Sequence, residues 1–218
     1  CDRFSHPQKL INELGGYVGK NRLEPMLEAN NQAPDTVIQV NTLKTSVEEL
    51  TEKLATEGVS ATAHQWLPDC LVLTGTGALE QLPSFREGLF YVQDAAAKLS
   101  VLCARIPRTE ETKVLDCCAA PGGKTTQIAG RMAGEGFLLC NEINPKRAKI
   151  LGRNIERMAV ANALVTNEHP ANLAKKYAGF FDRVLVDAPC SGEGMFRKDP
   201  EAMKAWKPDK PIECAKMQ

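Results

Sequence analysis

This sequence of 218 residues has no excess of charge of either sign and no long apolar run. Lysine plus arginine and aspartate plus glutamate number 27 each, so any affinity for nucleic acid must come from local basic patches rather than from total charge. No apolar stretch approaches the roughly 18 residues of a membrane span. The first residues also lack the basic-then-apolar pattern of a secretion signal, so we expect a cytoplasmic protein with no membrane partner.

Metal-ligand patterns are also lacking. Among the eight cysteines, Cys117 and Cys118 are adjacent, Cys140 falls in an apolar run, and no pair has the spacing of metal ligands. Reduced thiols are therefore a better interpretation than disulfides, and we expect no bound metal. The composition, 43% hydrophobic and 25% charged, is that of an ordinary globular protein, and we also expect a monomer.

The first part of the chain predicts short helices followed by a small α+β module. We expect those helices to break at Gly15–Gly16 and at Pro25. Ser46 and Glu49 form a capping box, which predicts the start of a further helix with one apolar face. One strand-like run precedes this helix and two follow it, an order that predicts an antiparallel sheet resembling an RNA-recognition fold.

In the second part of the chain, apolar strands alternate with helices. The strand-like segments are residues 114–118, 137–141, 163–166 and 183–187. This alternation predicts a parallel, doubly wound sheet that is covered on both faces, as in Rossmann-like α/β folds. We therefore expect two domains, residues 1–106 and residues 107–218.

The first motif that carries chemistry is a glycine-rich turn that closes the first of these strands. It reads Asp116-Cys117-Cys118-Ala119-Ala120-Pro121-Gly122-Gly123-Lys124-Thr125. Pro121 restricts the backbone, while Gly122 and Gly123 let it approach a ligand and expose N–H groups at the start of a helix. The alternative is a tight turn with no ligand. The position of this motif at the end of the first strand favours a cofactor site, although the spacing of its glycines is not that of a Walker loop.

Glu142 closes the next strand, 20 residues after Gly122. An acidic residue at this place can accept hydrogen bonds from both ribose hydroxyls of a nucleoside cofactor. The alternative is a solvated glutamate at a loop end. The glycine-rich turn at the expected spacing favours ribose binding.

A third motif, Asp187-Ala188-Pro189-Cys190-Ser191-Gly192-Glu193-Gly194, follows the last predicted strand. It places a carboxylate at the strand end and then a thiol in a turn that proline restricts. Chemistry is expected at this edge of such a sheet. A lone cysteine is often an inert packing residue, but the Pro-Cys-Ser-Gly turn favours a functional one.

Taken together, the glycine-rich turn and the Asp-Ala-Pro-Cys motif resemble the signature of the bacterial ribosomal RNA 5-methylcytosine transferases, the Sun/Fmu group related to the eukaryotic NOP2/Sun proteins. The resemblance covers essentially the whole chain. It implies a Rossmann-like class I methyltransferase sheet, S-adenosylmethionine as the cofactor, and methylation of carbon 5 of a cytosine. Ribosomal RNA of the small subunit (16S) is the implied partner, and transfer RNA is the alternative.

The resemblance also implies residue roles. The pocket for S-adenosylmethionine is lined by Cys118, Ala119, Ala120, Pro121, Gly122, Gly123 and Lys124. Glu142 holds the ribose, and Arg147 and Asn167 lie near the methionine or adenine part. Asp187 lies beside both cofactor and cytosine, and we expect it to be catalytic. Cys190 matches the family's second catalytic cysteine, which helps to remove the proton at carbon 5.

One element of the family pattern is missing. In the family, a cysteine in a Thr-Cys motif attacks carbon 6, and no Thr-Cys dipeptide occurs in these 218 residues. We therefore expect a truncated chain whose methyltransferase sheet lacks its C-terminal strands, and which binds cofactor or RNA without turnover. In the alternative, Cys190 is itself the nucleophile.

Two basic segments are ambiguous. The run from Lys146 to Arg157 is typical of a solvated helix face, with RNA contact as the alternative. Arg197 and Lys198 follow the Pro-Cys turn, and at this position contact with phosphates is favoured.

Overall fold

The computed structural model of the chain describes residue 4, residues 6–196 and residues 200–218. These form two compact units. The smaller unit combines the two ends of the chain, up to Asp35 and from Ala188 onward, and the larger unit is Thr36–Asp187. Among the described residues, no helix is long and apolar enough to cross a membrane.

The helices and strands are numbered along the chain. The helices are α1 (Gln8–Val18), α2 (Lys20–Asn30), α3 (Val47–Thr56), α4 (Pro83–Arg86), α5 (Ala95–Cys103), α6 (Gly123–Met132), α7 (Pro145–Arg157), α8 (Pro170–Lys176), α9 (Pro200–Ala205) and α10 (Lys210–Met217). The strands are β1 (Thr36–Val40), β2 (Ser60–Ala63), β3 (Cys70–Thr74), β4 (Phe90–Val92), β5 (Lys113–Asp116), β6 (Phe137–Asn141), β7 (Ala163–Thr166) and β8 (Arg183–Leu185).

The first sheet of the larger unit has the order β2-β3-β1-β4 and is antiparallel in every pair. Helix α3 starts at the predicted capping box, in which Ser46 and Glu49 each accept a hydrogen bond from the backbone N–H of the other. Leu50 and Leu54 of α3 are fully buried in the same apolar cluster as Phe90 of β4. The predicted antiparallel α+β module is confirmed, with the β-α-β-β-α-β order of ferredoxin-like folds.

The second sheet has the order β7-β6-β5-β8 and is parallel in every pair, as predicted. Helices α6, α7 and α8 connect its strands, and each returns the chain to the same edge of the sheet. Its core includes Val114 of β5, Leu138 of β6, Ile128 of α6 and Leu151 of α7. The carboxyl ends of β5, β6 and β8 therefore meet at one edge, where doubly wound sheets bind ligands.

Hydrogen bonds join the two sheets within the larger unit. The buried Asn41 side chain donates to Gly88 O at 2.8 Å and to Met158 O, just after α7, at 2.9 Å. The Arg157 guanidinium donates to Phe85 O at 2.8 Å and packs over the Phe85 ring. Arg157 thus differs from the solvated residue that the basic run predicted, because the first sheet covers the end of α7.

The smaller unit corrects the predicted helix boundaries. Helix α1 runs through Gly15–Gly16, and the break falls at Gly19, which has a φ of 77°. Pro25 lies inside α2, where the missing N–H removes one intrahelical hydrogen bond without ending the helix. Leu10, Leu14 and their neighbours in α1 and α2 form an apolar cluster that includes residues from the C-terminal part of the unit.

Candidate cofactor site

The glycine-rich turn lies between β5 and α6, at the carboxyl edge of the parallel sheet. We call residues 117–122 the β5–α6 loop. It is tied to both neighbouring strands, because Cys117 N–H donates to Leu185 O at 2.9 Å and Ala119 N–H donates to Asn141 O at 2.8 Å. Gly122 has a φ of 119°, in the left-handed region that favours glycine. No side chain caps α6 at Gly122, so the first-turn N–H groups can serve a ligand.

Helix α7 supports this loop from one side. The Arg147 guanidinium donates to Ala120 O at 2.5 Å, and Asn154 Nδ2 donates to Pro121 O at 2.8 Å. Two consecutive loop carbonyls are thereby fixed by side chains of one helix. Arg147, predicted to lie near the cofactor, sits beside the loop, and its side chain is half exposed.

Glu142 follows β6 at the same edge and is only 2% exposed. Its Oε1 accepts a hydrogen bond from Asn144 N–H at 2.9 Å, and its Oε2 lies 3.3 Å from Arg147 Nη1. Asn167 holds the backbone here, since its Nδ2 donates to Glu142 O at 2.6 Å and to Ile143 O at 2.9 Å. The arrangement directs a carboxylate acceptor to the edge where the β5–α6 loop lies.

Lys124 and Asp187 form an ion pair across the same edge. Lys124 Nζ lies 2.6 Å from Asp187 Oδ2, with 18% of the lysine side chain and 57% of the aspartate side chain exposed. The pairing of β5 with β8 brings these residues together, because Asp116 lies opposite Leu185 in the parallel register. The pair holds a carboxylate, accessible to a substrate, beside the first turn of α6.

Asp116 is a residue of this edge that the sequence reasoning did not single out. It ends β5, is 1% exposed, and accepts a hydrogen bond from the Thr125 hydroxyl at 2.7 Å. Burial raises the pKa of Asp116 to about 6, against the lowering effects of Thr125 and of the Lys124 cation. The sequence pattern that could have identified Asp116 is an acidic residue at the end of an apolar strand, followed nine positions later by a threonine.

The two cysteines of the β5–α6 loop are not suited to nucleophilic attack. Burial raises the pKa of the Cys118 thiol to about 11, and nearby Cys117 and Asp116 raise it further. Burial also raises the pKa of Cys117. Because the thiolate is the reactive form, both side chains remain inert thiols near neutral pH. Cys118 lies in the loop and its side chain is partly buried.

The Pro-Cys turn belongs to the smaller unit. Cys190 is exposed and unpaired there, three residues after Asp187 along the chain. The preceding residue, Pro189, accepts a hydrogen bond at its carbonyl from Gln218 Nε2 at 2.8 Å. Arg197 and Lys198, expected to contact phosphates, lie outside the described residues.

The edge of the sheet fits a nucleoside-bearing cofactor better than a metal. A buried carboxylate (Glu142), a helix start without a side-chain cap and a glycine in the left-handed region meet there. In the described part of the chain, no group of three or more His, Cys, Asp or Glu side chains is placed to hold a metal ion.

Comparison with known protein families gives two matches. A family described as 16S rRNA methyltransferase RsmB/F matches residues 103–218. A second, described as a Methyltr_RsmF/B-like, ferredoxin-like domain, matches residues 6–80. The first matched range contains all four strands of the parallel sheet, and the second contains three of the four strands of the antiparallel sheet.

Individual proteins resemble the chain over most of its length. It is 40% identical over 191 residues to ribosomal RNA small subunit methyltransferase F of Escherichia coli O81. This match covers 83% of this chain and 39% of that protein. The solved structure of PH0851 has a TM-score of 0.91 and 29% identity, covering 98% of this chain and 48% of that one. A methyltransferase homolog protein from Pyrococcus horikoshii has a TM-score of 0.76 and 25% identity, covering 92% of this chain and 65% of that one.

Proposed function

Because this chain belongs to the 16S rRNA methyltransferase RsmB/F family, we propose that the protein transfers a methyl group from S-adenosylmethionine to carbon 5 of a cytosine in 16S ribosomal RNA. The resemblance to ribosomal RNA methyltransferases that the motifs predicted is confirmed. The predicted Rossmann-like sheet preceded by a small α+β module is confirmed too, and the comparison describes that module as ferredoxin-like. The chain spans 39% of the length of its E. coli relative, so the activity and RNA target of a whole protein are part of the proposal.

The proposed cofactor site is the edge formed by the β5–α6 loop and the end of β6. Residues Cys118 to Lys124 would line it, with backbone N–H groups at the start of α6 as donors. Glu142 would accept hydrogen bonds from the ribose hydroxyls. Arg147 and Asn167 would shape the pocket, since their side chains hold the backbone on both sides of it. Bound S-adenosylmethionine would supply an electrophilic methyl group.

Asp187 is the proposed catalytic carboxylate. Carbon 5 of cytosine is a poor nucleophile until a thiolate adds at carbon 6, and that addition places charge on the ring. A carboxyl group that donates its proton in a hydrogen bond to ring nitrogen 3 would stabilise this negative charge, and the Lys124 contact would keep the Asp187 side chain in place. Cys190 would assist removal of the proton at carbon 5. The target base has to leave its stack, so unpaired RNA is the proposed substrate.

Five further expectations become part of the proposal. We keep the domain division at residues 106 and 107, which separates the two sheets of the larger unit; the family matches end at residue 80 and begin again at residue 103, close to this division. The first of these domains would be a module resembling RNA-recognition folds. We also propose a cytoplasmic monomer that acts on RNA without a metal.

The observation that carries the proposal is the Lys124–Asp187 pair, which joins the glycine-rich motif to the strand that leads into the Pro-Cys motif. The test is transfer of a radioactive methyl group by the full-length protein to 16S ribosomal RNA and to transfer RNA. Asp187→Asn should abolish transfer, whereas Asp35→Asn, at an exposed aspartate of the smaller unit, should not. Preferred labelling of transfer RNA would favour the alternative, a methyltransferase that acts on transfer RNA. Undiminished transfer by Asp187→Asn would refute the proposed role of Asp187.

The alternative in which Cys190 is the nucleophile has its own test. With S-adenosylmethionine present, RNA that contains 5-fluorocytosine should trap the attacking thiol as a stable adduct, because after methyl transfer carbon 5 carries fluorine and has no proton to lose. The proposal predicts no adduct with this 218-residue chain, because these residues contain no Thr-Cys dipeptide to supply the attacking thiol. An adduct that disappears in Cys190→Ala would make Cys190 the nucleophile.

A further inference from the structure

Gln93, the residue that follows β4, lies against Gly123, the first residue of α6. A Cβ atom built at Gly123 would lie 2.7 Å from Gln93 Nε2, 2.8 Å from its Cδ and 2.9 Å from its Oε1. These are the three nearest atoms, and all are closer than ordinary van der Waals contact. The space that a side chain at residue 123 would need is therefore filled by the Gln93 carboxamide.

Gln93 is held at both ends. Its backbone N–H donates to Val37 O of β1 at 3.1 Å, which fixes it to the first sheet. Its Oε1 accepts a hydrogen bond from Gln127 Nε2, one turn further along α6, at 2.5 Å. Gln127 is 3% exposed, and its own Oε1 has no hydrogen-bond partner among the described residues. A buried amide oxygen without a hydrogen-bond partner lowers the free energy of unfolding, and a purely apolar contact at this place would not have this effect.

Gln93 acts on the residues proposed to bind the cofactor. Gly123 is followed by Lys124, whose side chain reaches Asp187, and is preceded by Gly122 at the end of the β5–α6 loop. A displacement at Gly123 moves both neighbours. Because the geometry of a binding site is sensitive to displacements of about 1 Å, a contact that locates Gly123 also locates the site.

We propose that Gln93 is a positioning residue for the β5–α6 loop: its carboxamide, seated in the space left by Gly123, sets the start of α6 and hence the affinity for S-adenosylmethionine. The inference rests on the proposed cofactor site. It makes the ferredoxin-like module, to which the Gln93 backbone is bonded, part of the cofactor machinery as well as a candidate RNA-binding element.

The first test is a double-mutant cycle on S-adenosylmethionine binding, measured by calorimetry. Gly123→Ala should weaken binding, because the new methyl group either moves the helix start or displaces the Gln93 carboxamide from its hydrogen bond with Gln127. Gln93→Ala should weaken it less. The double variant should bind more tightly than Gly123→Ala alone, since removal of the carboxamide makes room for the methyl group. A double variant that binds no better than Gly123→Ala would overturn the proposal, because the space at Gly123 would then serve something other than Gln93.

The second test needs no cofactor. Hydrogen–deuterium exchange of the unliganded chain should be faster in residues 117–126 of Gln93→Ala than of the wild type, with thermal unfolding as the check on folding. Gln81→Ala, at an exposed glutamine of the same module, is the matched control and should leave exchange unchanged. Unchanged exchange in Gln93→Ala would overturn the positioning role whatever the cofactor does. Faster exchange in a chain that does not bind S-adenosylmethionine would instead refute the proposed cofactor site and retain the role of Gln93 in the loop.

Discussion

Lys124 Nζ and Asp187 Oδ2 lie 2.6 Å apart although 63 residues separate them along the chain. Lys124 belongs to the first turn of α6 and Asp187 follows β8, so their contact depends on β8 lying next to β5. The pair gives the carboxylate a fixed cationic neighbour at the edge where the β5–α6 loop and Glu142 also lie. The proposed chemistry requires this arrangement, because a catalytic carboxylate is effective only when it is held in place before the substrate arrives.

Lys124→Met should lower methyl transfer by the full-length protein by about tenfold or more, because Asp187 loses the cation that holds it. Lys124→Arg should retain part of the activity. The measurement is the initial rate of methyl transfer at saturating RNA, with Lys9→Met, at an exposed lysine of α1, as the control. Equal rates for Lys124→Met and the wild type would show that the ion pair has no catalytic role.

Asp116 should make stability depend on pH. In the native state its pKa is about 6, whereas its ordinary value is 3.8. Between these values the native state binds more protons than the unfolded state, so the contribution of Asp116 to stability falls as the pH rises. Asp116→Asn removes this dependence. Relative to the wild type, the variant should gain roughly 2 kcal/mol between pH 4.5 and pH 7.5, since each pKa unit is worth about 1.4 kcal/mol.

Urea unfolding of both proteins at the two pH values is the measurement for Asp116. The difference between variant and wild type is informative because the other carboxyl groups are common to both. A difference in free energy of unfolding that stays constant with pH would contradict the raised pKa of Asp116.

Asn41→Ala should destabilise the larger unit by about 2 kcal/mol, because two carbonyl oxygens, Gly88 O and Met158 O, lose their buried donor. Urea unfolding monitored by circular dichroism is the measurement. Asn21→Ala, at an exposed position of α2, is the control and should change stability little. If Asn41→Ala unfolded at the same urea concentration as the wild type, these hydrogen bonds would not be what holds the two sheets together.

Because Lys98 is buried, removing Lys98 and removing its ion-pair partner Asp69 should change the stability by unequal amounts. Lys98 is 3% exposed and pairs with Asp69, whose side chain is 28% exposed. Asp69→Ala leaves a buried cation without its partner and should cost about 3 kcal/mol, whereas Lys98→Met replaces the cation with an apolar chain of similar length and should cost less. Thermal unfolding of both variants measures the difference. A more severe loss in Lys98→Met would contradict the account.

Much of the fold could be predicted because local patterns determine it. Residues 137–141 and 163–166 are strands over the predicted ranges, and α3 starts at the predicted capping box. The glycine-rich turn could be located because a strand that turns sharply into a helix needs those residue types. Predicted strand ends were less accurate: β8 ends at Leu185, so Asp187 lies beyond the strand.

What depends on contacts between distant segments could not be predicted. Spacing along the chain does not state which strand lies beside β5, so the Lys124–Asp187 pair was not expected. The contact between Gln93 and Gly123 and the partial burial of Arg157 likewise depend on how the two sheets meet within the larger unit. Gly15–Gly16 was a wrong helix break because a glycine inside a helix only weakens it, and the positive φ at Gly19 ends it instead.

Calorimetric titration of this chain with S-adenosylmethionine tests the central claim most directly. Glu142→Ala removes the buried carboxylate proposed to hold the ribose, and Glu48→Ala, at an exposed glutamate of α3, is the matched control. The account predicts binding by the wild type and by Glu48→Ala, with an affinity at least about tenfold weaker in Glu142→Ala. Equal affinity in the wild type and in a folded Glu142→Ala variant would contradict it.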